Sequence, residues 1–341
     1  MKVIRFSLVF CLALAFGISF LCGVNTAQAK AIELSYANFF PPTHVQAQLG
    51  DSWAKEIEKR TDGKVKITYY PGGALLKGPQ IYDGICKGIA DIGMSVFAYS
   101  RGVFPSMEAM DLPLGYPNGK AATEIINEFY NKFKPKELSK VKVMYLHAHG
   151  PGLLHSKKAV NNLEEMKGLK VRSTGFCAKV VEALGGVPVA MGQGETYESL
   201  QKGVVDATFS PMEVLKGWKQ GEVIKATTEC YSVGYTAGFY VVMNLAKWNS
   251  LPKDVQKVIV EVSKEWIPKH GEAWDESDKA GREFTLSLGN KIIPLSEEES
   301  ARWAKAAAPV VDSFIKDQTA KGLPAKDYVD FIEAGVKKYS K

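Results

Sequence analysis

The stretch LKVRSTGF, residues 169–176, places an arginine where the chain changes character. Leu169 and Val171 are strand-type residues, and Ser173, Thr174 and Gly175 suit a turn or a helix start. An arginine at the end of a strand that runs into a helix N-terminus faces the crevice beyond the edge of an open α/β sheet, where ligands of such sheets bind. Its guanidinium is a rigid fork of donors suited to a carboxylate. A surface arginine paired with an acid is the plainer alternative. The histidines offer less. His147 and His149 lie two apart on one side of a strand and would form half a metal site, but a third ligand is missing. A hydrogen-bonded strand end is the expectation there. The chain has no G-x-S-x-G elbow, no H-E-x-x-H, no Walker loop and no G-x-G-x-x-G between strand and helix. The turn GQGETYE (192–198) lacks the spacing that cradles phosphate. No enzyme, cofactor or metal is therefore expected.

The elements that must position Arg172 form two series. AIELSYAN (31–38) has a short strand pattern. Val45, Leu49, Trp53 and Ile57 are spaced four apart before Gly63, one face of an amphipathic helix. VKITYYPGG is a second strand ending in a turn, followed by a helix at about 79–87 and a strand at about 91–96. After a proline-punctuated stretch, a helix at 121–133 and a strand at 140–150 follow. The pattern then restarts with LKVR, a helix in FCAKVVEALGG, VPVAM, a helix in TYESLQKGVVD, and ATFSP. GFYVVMN (238–244) is one more strand. Residues 252–288 are helical, with Pro268 inside, and 296–341 are helical and charged. Two strand–helix–strand–helix–strand series without a low-complexity linker predict an α/β fold of two lobes joined by several crossings of the chain.

The first residues set the compartment. Lys2 and Arg5 precede an apolar run, Phe6 to Val24, and Ala27-Gln28-Ala29 offers a cleavage site. This is the layout of a signal peptide, residues 1–29, cleaved after Ala29; an uncleaved anchor is the alternative. Without Lys2 and Arg5 the mature chain has 41 basic and 37 acidic side chains, a mild excess with no basic block for nucleic acid. Cys86, Cys177 and Cys230 remain, an odd number without C-x-x-C, so buried free thiols are expected. About 310 residues exceed one ordinary core, and two domains are the default.

Several stretches carry a resemblance in order: Pro42 and His44; TDGKVKITYYPGGAL (61–75); DGICKGIADIG (83–93); GLKVRSTGF (168–176); GGVPVAMGQGETYESLQKGVVDATFSP (185–211); and NLAKWNSLPKDVQ (244–256). From Ile32 to about Tyr328 the chain resembles the DctP-type solute-binding proteins of TRAP (tripartite ATP-independent periplasmic) transporters. The resemblance implies a two-lobed periplasmic binding protein with a ligand cleft between lobes and a long helix spanning both. Lobe I would comprise residues 30–150 and about 237–283, lobe II 151–236 and about 284–325, and 326–341 a C-terminal helix. It implies a monomer that captures a small organic anion and hands it to DctQ/DctM-like permease subunits. In the family the arginine of G-x-K-x-R grips the ligand carboxylate, a role that falls on Arg172. Sialic-acid binders of the family carry a second arginine about twenty residues earlier, where this chain has Gly152 and Leu153. They carry an asparagine where Ser210 stands, and an aromatic is often found at the turn that is MGQG here. These departures imply a smaller or flatter monoanion, a carboxylate of the aromatic or the hydroxy or keto acid kind, held by one arginine. An ABC-type binding protein and a ligand-sensing module are the alternatives.

Other expected ligand contacts are His44, His147 and His149 as hydrogen-bond partners, with Phe39, Phe40, Phe97, Tyr99, Phe176, Ser210, Met212, Tyr235 and Phe239 at strand ends. Trp218 is read as core packing. Aromatic density at strand ends fits an apolar pocket with few polar anchors.

Overall fold

The computed structural model describes residues 30–340. The expected signal peptide lies outside them. In chain order the strands are β1 (Ile32–Asn38), β2 (Val65–Tyr70), β3 (Ile92–Val96), β4 (Val141–Ala148), β5 (Leu153–Ser156), β6 (Lys170–Ser173), β7 (Val187–Ala190), β8 (Ala207–Ser210), β9 (Ala226–Glu229), β10 (Gly238–Asn244) and β11 (Lys291–Pro294). The helices are α1 (Val45–Arg60), α2 (Ile81–Cys86), α3 (Gly119–Phe133), α4 (Cys177–Ala183), α5 (Gln193–Lys202), α6 (Val214–Gly217), α7 (Leu245–Ser250), α8 (Lys253–Ser287), α9 (Glu297–Thr319) and α10 (Ala325–Tyr339). None of them is long and apolar enough to cross a membrane.

Both series expected from the sequence are present, each in its own sheet. The first sheet has the order β2-β1-β3-β10-β4 and the second β11-β9-β5-β8-β6-β7. Within the first, β1 runs parallel to β2 and β3, while β10 enters antiparallel between β3 and β4. Within the second, β6 runs parallel to β7 and β8, and β5 antiparallel to β8 and β9. Strands β5, β9 and β11 had no expectation in the sequence. Each has only four residues. All four residues of β5, LLHS, are buried, so it lacks the apolar–polar alternation that marks a half-exposed strand.

The chain passes between the sheets from β4 to β5, back from β9 to β10, and again along α8. That helix has 35 residues, a rod of about 52 Å at 1.5 Å per residue. It packs on α1, α3 and β4 at one end and on α6 and β11 at the other. Close approach at its far half requires Gly281, where a Cβ would overlap the Met212 carbonyl. Two carboxylates of α8 cap backbone elsewhere: Asp275 accepts from Gly119 N at 2.6 Å and Asp278 from Glu213 N at 2.8 Å. The C-terminal helices divide, α9 packing on α4 and α10 on α3.

This topology brings the loop ends of both sheets together. Phe39 and Phe40 follow β1, and Phe97 to Tyr99 follow β3. Phe239, early in antiparallel β10, pairs with Val96 and His147 at the same edge. Opposite them stand the ends of β6 and β8, with Arg172 paired to Val189 and Thr208 in register.

Candidate functional site

Between the two edges lies a cavity. It is lined by Phe39, Phe40, Val96, Tyr99, Ala237 and Phe239 around the first sheet. Arg172, Thr174, Gln193, Ser210, Pro211, Glu213, Val214 and Trp218 line it from the second, with His149 and Tyr235 from the two crossings.

Arg172 is its one cation, and only 4 % of it is exposed. Its Nε and Nη2 donate to the Met191 carbonyl at 3.3 and 3.2 Å, and Nη1 to Ser210 Oγ at 3.2 Å. All three bonds go to neutral acceptors. Among the described residues no carboxylate lies within ion-pair distance of it. A buried charge normally has a counter-charge, because desolvation costs several kcal/mol. Three of five N–H donors are used, which leaves two, the number a carboxylate takes bidentately.

The walls are aromatic. Phe39 stacks on Phe40 with centroids 4.3 Å apart and lies nearly parallel to Phe239 at 6.4 Å and to Trp218 at 6.4 Å. Tyr235 closes another side, its hydroxyl donating to the Phe209 carbonyl at 2.8 Å. Burial raises the Tyr99 phenol, and its oxygen accepts from Gln193 N at 2.9 Å. Two lining side chains hold a buried N–H without a partner, the Gln193 amide and the Trp218 indole. Neither was expected from the sequence. For Gln193 the signal was a polar residue three positions beyond β7, at the start of α5; Trp218 was assigned to the core.

The expected histidines are buried but engaged. In His44, Nδ1 accepts from Gln46 N at 3.2 Å and caps α1, so Nε2–H donates to Glu213 Oε2 at 2.9 Å. This joins the two lobes and occupies both ring nitrogens. His149 lines the cavity, yet Nδ1–H donates to the Gly150 carbonyl and Nε2 accepts from Ala237 N at 3.1 Å. Burial and the nearby Arg172 charge pull its pKa down to about 4, which keeps it neutral. His147 does lie on the same side as His149, but it sits behind the wall, stacked between Phe239 at 4.9 Å and His270 at 4.4 Å, with Nδ1 accepting from Trp274 Nε1 at 3.0 Å. No cluster of three metal-ligating side chains occurs among the described residues.

His270, on α8, gives a test of this neutral cluster. Burial lowers its pKa to about 3. Its Nδ1–H faces Gln46 Oε1, and Tyr145 Oη donates to Nε2 at 3.0 Å. A lowered histidine pKa stabilises the fold fully above the unfolded value of about 6.5, and that stability is lost as pH falls from there toward 3. The stability advantage of the wild type over His270→Gln should therefore narrow by about 2 kcal/mol between pH 7 and pH 5, read by denaturant unfolding. A pH-independent gap would show that folding leaves the pKa of the ring unchanged.

Five expected contacts are not brought to the cavity. Phe97 turns into the first lobe's core against Phe104 at 4.9 Å and Tyr240 at 5.1 Å. Phe176 packs on Phe314 of α9 at 5.3 Å. Met212 is held against α8 at Gly281, and His147 lies behind Phe239. His44 also stays out of the cavity lining, bridging at its edge. The turn after Arg172 differs as well. Helix α4 begins only at Cys177, and the Phe176 N–H faces Asp111 of the other lobe at 3.4 Å. Burial raises the Asp111 carboxyl well above its usual range. The three cysteines are free thiols.

The family profile described as DctP, bacterial extracellular solute-binding protein, family 7, matches residues 36–318. The C4-dicarboxylate-binding periplasmic protein DctP of Rhodobacter capsulatus is 25% identical over 305 residues, 88% of this chain and 91% of that protein. A TRAP periplasmic solute binding protein from Desulfovibrio salexigens, solved as an open complex, is 35% identical with a TM-score of 0.80, over 90% of this chain and 96% of that one. A marine-metagenome TRAP solute binding protein specific for aromatic acid ligands, solved with 3-hydroxybenzoate, is 29% identical with a TM-score of 0.86, over 91% and 99%. The chain belongs to the DctP family, the periplasmic solute-binding proteins of TRAP transporters.

Proposed function

We propose that this protein captures a small aromatic carboxylate, a monoanion, in the cavity between its lobes. The observation that carries the reading is Arg172: a cation buried without an acidic partner, two of its donors unspent, facing aromatic walls. Aromatic walls with few polar anchors suit a ligand of one ring and a short acid arm. One arginine matches one carboxylate, so the dianion in the name of the Rhodobacter relative is not carried over. The aromatic acid of the metagenome relative is the nearer guide, since its ligand class fits these walls.

Capture works by closure. Only the closed form lets Arg172 and Ser210 from one lobe and Phe39, Phe40 and Phe239 from the other meet one ligand, and a ligand shifts the equilibrium by its differential affinity. The His44–Glu213 bridge belongs to that closed form. His44→Ala should weaken binding about tenfold, because a hydrogen bond to a charged group contributes roughly 1.5–3 kcal/mol. Calorimetric titration reads this, and unchanged affinity would remove the bridge from the closing energetics. The loaded protein would then dock, as a monomer, on DctQ/DctM-like membrane subunits after export and cleavage behind Ala29. We read it as a carrier without catalysis.

A thermal-shift panel of aromatic and aliphatic monocarboxylates tests the assignment. A ligand at 100 times its dissociation constant adds about 2.7 kcal/mol to stability. Stabilisation by aromatic monoacids supports the reading; stabilisation only by dicarboxylates or by neutral sugars refutes it.

A further inference from the structure

We infer that Gln193 makes the cavity selective for acids with an uncharged oxygen on the carbon next to the carboxylate: aromatic 2-hydroxy or 2-oxo acids. The inference rests on the reading that Arg172 holds a carboxylate. Gln193 lines the cavity and is 8 % exposed, and its amide nitrogen is buried with no hydrogen-bond partner. Native folds leave few buried donors unpaired, so a donor kept this way beside an unpaired cation marks a position where an acceptor arrives with the ligand.

Its place along the cavity is set by the backbone. The Met191 carbonyl, two residues earlier, is the acceptor for Arg172 Nε and Nη2. The Gln193 N–H is itself fixed on Tyr99 Oη at 2.9 Å. That hydroxyl also feels the Arg172 charge, which places residue 193 at the Arg172 end of the cavity. Trp218, stacked on Phe39, carries the other unpaired donor of the lining, its indole N–H. A ligand whose carboxylate meets Arg172 thus presents its neighbouring carbon to Gln193. An alcohol or ketone oxygen there accepts from the amide. An analogue without that oxygen leaves the amide buried and unpaired, the situation in which sites discriminate most strongly.

The test compares phenylacetate, both mandelate enantiomers and phenylglyoxylate by calorimetry on the wild type and on Gln193→Leu. We expect the best oxygenated acid to bind the wild type about tenfold more tightly than phenylacetate. In Gln193→Leu that ratio should fall to about one, with phenylacetate binding retained. A merely structural glutamine would weaken all four acids together. If the acids bind but the wild type shows no preference, or the substitution leaves the preference intact, the inference is overturned and the Arg172 reading stands. If none of the acids binds the wild type, the Arg172 reading fails and takes the inference with it. Should the leucine variant not fold, Gln193→Met, closer in length, provides the same comparison.

Discussion

Arg172→Ala is expected to remain folded and to lose at least about thirtyfold in ligand affinity. A micromolar ligand binds with about −8 kcal/mol, and removing one side of a buried charge pair costs roughly 2–5 kcal/mol. The fold should tolerate the change because the guanidinium makes bonds to only the Met191 carbonyl and the Ser210 hydroxyl, and its charge has no partner to lose. Arg172→Lys should lie between, since an ammonium keeps the charge and loses the bidentate fork. Thermal unfolding with and without ligand separates the two effects: the ligand-induced rise should vanish in the alanine variant while the unliganded transition persists. An Arg172→Ala protein that binds the acid like wild type would place the carboxylate elsewhere.

The second large effect is expected at Gly152. The space for a side chain is already taken: a Cβ on Gly152 would fall inside contact distance of three atoms of the Tyr235 ring. The ring is itself fixed, by its hydroxyl on Phe209 O and by the Gly152 N–H on its own carbonyl at 2.8 Å. Gly152→Ala should therefore destabilise by about 3 kcal/mol, the upper part of the range for overpacking, and weaken binding because Tyr235 is a cavity wall. In a Tyr235→Ala background the same substitution should cost far less. Equal costs in both backgrounds, by denaturant unfolding, would show that the ring is not the obstacle.

What could be read in the sequence depended on how local its cause was. The four-residue spacing from Val45 to Ile57 reports on one helix face, and α1 appears where it predicts, capped by His44. Arg172 stood out through the ordered stretches that carry the family resemblance; taken alone, a strand-end arginine reads as well as a surface ion pair. Phe97 and Tyr99 show the limit. Both follow β3, but a single 3-10 turn sends Phe97 into the core and Tyr99 to the cavity. Nothing in their own neighbourhood distinguishes them. The partners of the histidines were hidden for a similar reason: Glu213, Ala237 and Trp274 arrive from segments far along the chain. Gln193 and Trp218 were invisible because an unpaired buried donor is defined by the absence of neighbours, which only the assembled fold reveals. The short strands β5, β9 and β11 are determined by the sheet that receives them rather than by their own pattern.

The most direct test of the central claim is a calorimetric comparison of an acid with its neutral isostere on the wild-type protein. The tightest aromatic monocarboxylate from the panel would be titrated beside its primary amide, which keeps the size, ring and shape and removes only the negative charge. If Arg172 is there to receive a carboxylate, the acid binds and the amide is at least about thirtyfold weaker. If the amide binds as tightly as the acid, the buried arginine is not the anchor.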